Sequence, residues 1–267
     1  YANTTASNNT AVGFQALTAN TTGAGNVAVG KDALTANTTA ANNTAVGIDV
    51  LTANTTGANN TSVGANSLVA NTTGGKNTAI GIGAGQSVTT GSNNTFLGVE
   101  AGITGSPGGA VTTGSNEIVV GDENVSKVNV QVDWTVASDQ RDKTDFTALD
   151  LGLDFVNALS PLTYKWDKRS KYGNKKADDY DLNAQVPDGT YKEDWLDIGF
   201  KAQEVEVLEI AAGYKIADKN NLTVNVSGDG KQYGLQYSKF VPILVKALQE
   251  ADDKIDALTT RIEALES

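Results

Sequence analysis

A serine and a lysine stand five residues apart in Ala137-Ser138-Asp139-Gln140-Arg141-Asp142-Lys143, where the chain changes character. Everything before this stretch is repetitive, small and almost uncharged, and everything after it reads as ordinary globular sequence. The chain has no histidine and no cysteine. That removes the Ser-His-Asp triad, the thiolate nucleophile and the commonest metal ligands. Hydrolytic chemistry must then use hydroxyls, carboxylates or lysine. Serine is a weak nucleophile near neutral pH and needs a base. A lysine can serve once desolvation has removed its charge. A tight turn from Ser138 to Lys143 would bring the amine to the hydroxyl. At a seam between two kinds of sequence, such a pair suggests a cleavage point rather than a linker. Taken alone, the same residues read more readily as a capped turn carrying solvated charges.

Upstream, the chain repeats. Asn9-Thr10-Ala11-Val12-Gly13 returns as Asn26-Val27-Ala28-Val29-Gly30, Asn43-Thr44-Ala45-Val46-Gly47, Asn60-Thr61-Ser62-Val63-Gly64, Asn77-Thr78-Ala79-Ile80-Gly81 and Asn94-Thr95-Phe96-Leu97-Gly98, always 17 residues on. Leu17, Leu34, Leu51 and Leu68 run in phase, as do Asn20, Asn37, Asn54 and Asn71. Fixed columns of this kind argue against a disordered linker. Seventeen residues with two or three apolar positions cannot build a private core, but stacked copies can. Glycine after the valine permits a corner, and asparagine and threonine can turn the chain and bond in ladders. Only Lys31, Asp32, Asp49, Lys76 and Glu100 are charged before residue 117. A column this thin is most easily stabilised by association, which predicts three chains wound together. After Gly98 the next copy, Glu117-Ile118-Val119-Val120-Gly121, arrives 23 residues later, and the extra residues fall around Ser106-Pro107-Gly108-Gly109.

Val128, Val130, Val132, Trp134 and Val136 alternate with polar residues and predict a half-buried strand running into Ala137. Beyond the seam, Leu149, Leu153, Val156 and Leu159 predict a helix over 147–159, and Thr163–Trp166 and Leu222–Val226 read as strands. Gly213, Gly228 and Gly234 punctuate loops. Val241, Leu244, Leu248, Ala251, Ile255, Leu258, Ile262 and Leu265 step alternately by three and four, the seam of a coiled coil. Its Ile and Leu pattern by itself leans towards two strands.

The repeats resemble the β-roll heads of trimeric autotransporter adhesins and, more closely, the shafts of bacteriophage tail fibres. Ser138-Asp139-x-Arg141-x-Lys143 resembles the opening motif of the C-terminal intramolecular chaperone of phage tailspikes and tail fibres. Leu159-Ser160-Pro161-Leu162-Thr163-Tyr164-Lys165-Trp166, Gly199-Phe200-Lys201-Ala202-Gln203-Glu204-Val205-Glu206, and Tyr237 with Phe240 to Leu248 resemble its later motifs, in order. Those ordered motifs turn the reading of the seam towards a dyad. The insertion from Tyr172 to Tyr191, rich in Asp and Lys, and Asp142, where an apolar residue is usual, depart from the pattern.

The resemblance implies a fold and an activity. The fold is a mainly β shaft, a trimeric β-helix or β-roll over 1–121, with a connecting strand over 122–137. An α+β chaperone domain over 138–240 and a trimeric coiled-coil helix over 241–267 follow. The chaperone would assemble the trimer and cut itself off between Ala137 and Ser138, once per chain. Ser138 would be the nucleophile and Lys143 the general base. Asp139 and Arg141 would hold the loop through an ion pair to a neighbouring element. The chain would be part of a homotrimeric virion tail fibre whose shaft meets a host cell-surface receptor such as a glycan, and the chaperone would be released in the host cytoplasm during assembly. A bacterial trimeric surface adhesin with the same kind of chaperone is the alternative.

Other classes fit less well. The formal net charge of −11 argues against an electrostatic nucleic-acid binder. A eukaryotic transcription factor that uses the same chaperone to release itself from a membrane would need a basic DNA-binding domain, and residues 1–116 are nearly uncharged. No apolar run reaches the ~18 residues of a membrane span, so no membrane insertion is expected. Neither cofactor nor metal is expected, and the shaft offers almost no carboxylate pair for a glycosidase. The only local receptor candidate is the insertion from Ser106 to Val111. Tyr1 falls partway through a repeat, as expected for a fragment of a longer protein.

Overall fold

The computed structural model describes residues 2–132, 134–175, 177 and 179–266. They divide into two compact units. One comprises Tyr1–Lys127, Asp167–Glu193 and Ser227–Gln232, and the other Val128–Trp166, Asp194–Val226 and Tyr233–Ser267.

The first unit is built on a β-solenoid. Seven three-residue strands, β1 (Thr10–Val12), β2 (Val27–Val29), β3 (Thr44–Val46), β4 (Thr61–Val63), β5 (Thr78–Ile80), β6 (Thr95–Leu97) and β7 (Ile118–Val120), stack in sequence order as one parallel sheet. Each residue pairs with its repeat equivalent: Ala11 with Ala28, Ala28 with Ala45, Phe96 with Val119. The stack closes on itself so tightly that glycine is obligatory at the corner. At Gly30 the backbone has φ +136°, and an added Cβ would lie 2.1 Å from the Gly47 carbonyl oxygen.

The interior has apolar and polar columns. Ala28, Ala45, Ser62, Ala79 and Phe96 point inwards from the strands and are fully buried. Leu34, Leu51 and Leu68 fill the opposite side. They do so from left-handed backbone (φ +53°, +51° and +48°), a conformation costly for leucine. Stacking over-determines it: the Leu34 N–H donates to Val50 O at 3.0 Å in the next turn. Two asparagine ladders satisfy the polar backbone of the narrow core. Asn37, Asn54 and Asn71 each donate Nδ2–H to the Oδ1 of the asparagine one turn back, at 2.8–2.9 Å. Asn43, Asn60 and Asn77 instead donate their backbone N–H to the Oδ1 of the previous copy at 2.9 Å. The first ladder stops at Asn71, because Val88 occupies the next place, and Asn71 Oδ1 is left buried without a partner.

The turns are not interchangeable. Where strand alanine becomes Ser62, its in-turn neighbour is Ser67 instead of alanine or valine, and the two hydroxyls bond at 2.6 Å. Where alanine becomes Phe96, the leucine column ends. Gly85 and Gly102 take its place, and a Cβ on either would meet the Phe96 ring at 2.8 or 2.4 Å. One large ring thus fills the volume of two missing leucines.

In the second unit, the short helix α1 (Leu153–Ala158) begins at Gly152, which provides no side-chain cap. Glu250 supplies it from the C-terminal helix, accepting from Leu153 N–H at 2.7 Å, and this bond first and Lys246 next hold its carboxyl below the usual range. β8 (Leu162–Tyr164) pairs antiparallel with β9 (Asp197–Gly199). Helix α2 (Ala202–Ala211) ties to β10 (Val224–Val226), itself paired antiparallel with β11 (Tyr233–Leu235). The tie is Glu209, buried in α2, which accepts from the backbone N–H and hydroxyl of Thr223, both at 2.6 Å. Helix α3 (Phe240–Glu266) buries Phe240, Ile243 and Ala247 in the core with Leu151, Phe155, Val205 and Val224. The coiled-coil seam Val241, Leu244 and Leu248 lies on other faces and is exposed.

Three expectations need correction. The predicted strand over 128–136 forms no ladder, and its alternating apolar residues Val128, Val130, Val132, Trp134 and Val136 are all exposed; Asp133 lies outside the described residues. Alternation encodes a strand face, but a ladder needs a partner edge, and no described segment offers one. The helix expected over 147–159 is confined to 153–158, because the glycine at 152 breaks the pattern that Leu149 began. Gly234 lies within β11 rather than in a loop. Its missing side chain makes room for Asn225, whose Oδ1 would be 2.4 Å from a Cβ there.

The volume exchange around Phe96 makes a double-variant cycle informative. Phe96→Ala should cost about 3–5 kcal/mol, as for other buried aromatics. Adding Gly85→Leu, at φ +61° close to the backbone of Leu68, rebuilds the ordinary repeat and should recover part of that loss in denaturant titration.

Candidate active site at the junction

The residues singled out by the sequence come together in a loop of the second unit. Asp139 Oδ1 accepts from the Arg141 backbone N–H at 2.9 Å and so caps a single 3-10 turn, Gln140–Asp142. The Lys143 N–H closes it on Gln140 O at 3.2 Å. This turn reverses the chain enough for the Lys143 side chain to fold back, and its Nζ lies 2.6 Å from Ser138 Oγ. Every described residue of the loop is exposed.

Asp139 and Arg141 hold this shape differently from expectation. They pair with each other, not with a neighbouring element: Arg141 Nη2 is 2.6 Å from Asp139 Oδ2 and Nε is 3.0 Å from Oδ1. Aspartate two residues before arginine is the right distance for capping and pairing together, because both bonds converge on one carboxylate. The Arg141 side chain, then its backbone N–H, lowers the Asp139 carboxyl below its ordinary value, and Asp139 in turn raises the Arg141 guanidinium. Asp142 is exposed on the same turn.

The bond from Lys143 to Ser138 gives the pair a nucleophile and a nitrogen within proton-transfer distance. In the exposed loop the ammonium donates to the hydroxyl. Acting as a base requires Nζ to accept instead, which follows when water is excluded and the charged form is disfavoured. The scissile candidate, the bond between Ala137 and Ser138, is contiguous with the hydroxyl, so the substrate is positioned covalently.

The later motifs also converge. The Tyr237 hydroxyl accepts from Phe200 N–H at 3.2 Å, and the Phe200 and Phe240 rings stack with centroids 5.4 Å apart. Gly199 is required there, since a Cβ would lie 2.2 Å from the Tyr237 hydroxyl oxygen. Tyr164 packs edge-on against Trp166, and Trp166 Nε1–H donates to Asp197 Oδ2 at 3.2 Å. Among the described residues there is no cluster of histidine, cysteine or carboxylates suited to a metal, and no helix long and apolar enough to cross a membrane.

Fold and junction together define a repetitive β-solenoid shaft joined to a separate α+β domain through a loop carrying a serine and a lysine in contact. Residues 138–214 match the peptidase family model described as the chaperone of endosialidase. The match implies a self-cleaving peptidase domain, and a solenoid followed by it fits a tail fibre with a C-terminal chaperone. No curated protein and no solved structure matches the chain.

The sequence did not reveal that residues 167–193 and 227–232 fold with the shaft; the Asp and Lys richness of the first of these was the only signal.

The capping carboxylate gives the loop a pH dependence of definite sign. With the folded-state value of Asp139 lowered, the cap and pair persist at neutral pH and lapse only as pH falls through the lowered value. Arg141→Ala should shift the Asp139 midpoint upwards in a carboxyl-detected NMR titration; an unchanged midpoint would count against the pairing.

Proposed function

We propose that the chain is the C-terminal part of a phage tail fibre for host attachment, and that its chaperone domain trimerises and folds the shaft, then severs itself at Ala137–Ser138. The observation that carries this reading is the 2.6 Å contact between Lys143 Nζ and Ser138 Oγ, at the residue where the family match begins. In the proposed step, Lys143 takes the Ser138 hydroxyl proton as Oγ attacks the Ala137 carbonyl carbon. The peptide C–N bond breaks, and the proton passes to the Ser138 nitrogen. Water then hydrolyses the resulting ester, leaving an Ala137 carboxylate and a Ser138 amine. Each chain does this once, so a modest rate suffices. The shaft stays in the virion, and the chaperone is left in the host cytoplasm.

Support for association comes from two apolar faces on one chain. The outward strand positions Val12, Val46, Val63, Ile80, Leu97 and Val120 form an exposed column, flanked by Phe14, Ile48, Ile82 and Val99. Such a column is larger than the scattered apolar residues of a monomer surface. Its spacing of ~4.8 Å per turn is matched by another copy of the same chain in the same register. In α3, every residue from Asp252 to Glu266 is exposed, its apolar seam included. A solitary helix of this length is marginal in water, and its seam Ile255, Leu258, Ile262 and Leu265 suits a bundle of copies. Three copies, rather than two, is the number that the tail-fibre reading implies. Association over the junction would also exclude water from Lys143.

Two experiments test the reading. Mass spectrometry of the unmodified protein should find a product beginning at Ser138, absent from Ser138→Ala and from Lys143→Arg, whose guanidinium cannot act as a base; normal processing of either variant would sink the dyad. Light scattering should report three chains, and Val63→Asp with Ile80→Asp, which leaves the solenoid interior untouched, should shift the shaft towards monomer.

A further inference from the structure

Two stretches depart from the pattern of their own halves, and the structure brings them together. In the shaft, the longer last turn folds Gly102–Val111 into a closed loop. The Val111 N–H donates to Gly102 O at 3.0 Å, and Ser106 Oγ accepts from Gly102 N–H at 3.0 Å. Asp167–Glu193 and Ser227–Gln232 lie after the proposed cut, yet belong to the same compact unit as the shaft.

Their contacts with the last turn are polar and close. Asp229 Oδ2 accepts from Ala110 N–H at 3.2 Å, and Lys168 Nζ donates to Glu123 O at 2.9 Å. Lys175 pairs with the Glu123 carboxylate, which is 8 % exposed. Gly105 and Gly109 fit against Ser170 and Asp229 so closely that a Cβ on either would lie 2.7 Å from them. Behind this face, Arg169 ties the two segments to each other through Lys231 O at 2.7 Å and Asn183 Oδ1 at 2.9 Å.

We propose that these contacts form a noncovalent clamp, so that cutting Ala137–Ser138 leaves the chaperone bound to the end of the shaft until the clamp opens. The inference rests on the self-cleavage reading for its biological setting, and its geometry is independent of it. The clamp is built to be separable. Of the six buried side-chain oxygens without a hydrogen-bond partner among the described residues, four lie in its two segments and the turn they hold: Glu123 Oε2, Tyr180 Oη, Glu193 Oε2 and Gln232 Oε1. An unsatisfied buried oxygen regains water on separation, which offsets part of the holding energy. Salt weakens charge pairs, less so where they are buried, and does not weaken an apolar contact.

The test severs the chain without relying on its own chemistry. A recognition sequence for a site-specific protease is inserted before residue 138 of the Ser138→Ala protein, and the cut protein is followed by size-exclusion chromatography. The two pieces should co-elute at low salt and separate at high salt. Glu123→Gln on the shaft side and Lys175→Met on the other should each speed dissociation by at least about thirtyfold, the lower end for one member of a buried interface charge pair. The double variant should add little to either. Placing the substitutions on opposite sides guards against a fault in folding one of them. Immediate separation at low salt, or unchanged rates in both variants, would overturn the clamp. Failure of self-cleavage in the unmodified protein would overturn only the reading on which its setting rests.

Discussion

Stacking in register is the constraint on which the shaft depends. A turn of 17 residues buries nothing alone, and each interior column exists only because the same column continues above and below. Leu34 can hold a left-handed backbone only because its N–H finds Val50 O in the next turn. Asn54 can be buried only because Asn37 and Asn71 flank it. Energies in such an array are sums over neighbouring turns, so an isolated turn has almost none. Folding must therefore begin where two turns are already aligned.

The departures from strict repetition sharpen this. A perfect repeat would leave every slipped pairing nearly as good as the correct one. Ser62 facing Ser67, and Phe96 facing Gly85 and Gly102, are matched within and between particular turns. A slip by one period would place a hydroxyl against an apolar column or a ring against leucine. Ser62 stands in the middle strand of the seven, and Phe96 in the last but one.

The period, the Val, Leu and Asn columns and the corner glycine were legible because they recur at a fixed distance and physics gives each a role. The contact of Lys143 with Ser138 was legible because the two are five residues apart and one turn suffices to join them. The pairing of Asp139 with Arg141 was misread for the converse reason: two residues suited to each other were assigned to a more distant partner. The strand over 128–136 was misread because alternation specifies a face but never supplies an edge. The clamp was out of reach, since Ala110 and Asp229 are 119 residues apart and nothing local in either announces the other.

A chain whose shaft cannot nucleate alone has reason to carry a temporary scaffold. Long-range parallel pairing is slow and exposes edges while it waits. The second unit has a conventional core around Phe155, Val205, Phe240 and Ile243, which does not depend on the repeat. The segments 167–193 and 227–232 belong to the same compact unit as the shaft and contact the end of the solenoid, which gives its last turn neighbours that are not repeats. On the proposed reading, cutting the chain removes the alignment device that unfolded copies would need to refold, so the shaft would persist through its unfolding rate rather than its equilibrium.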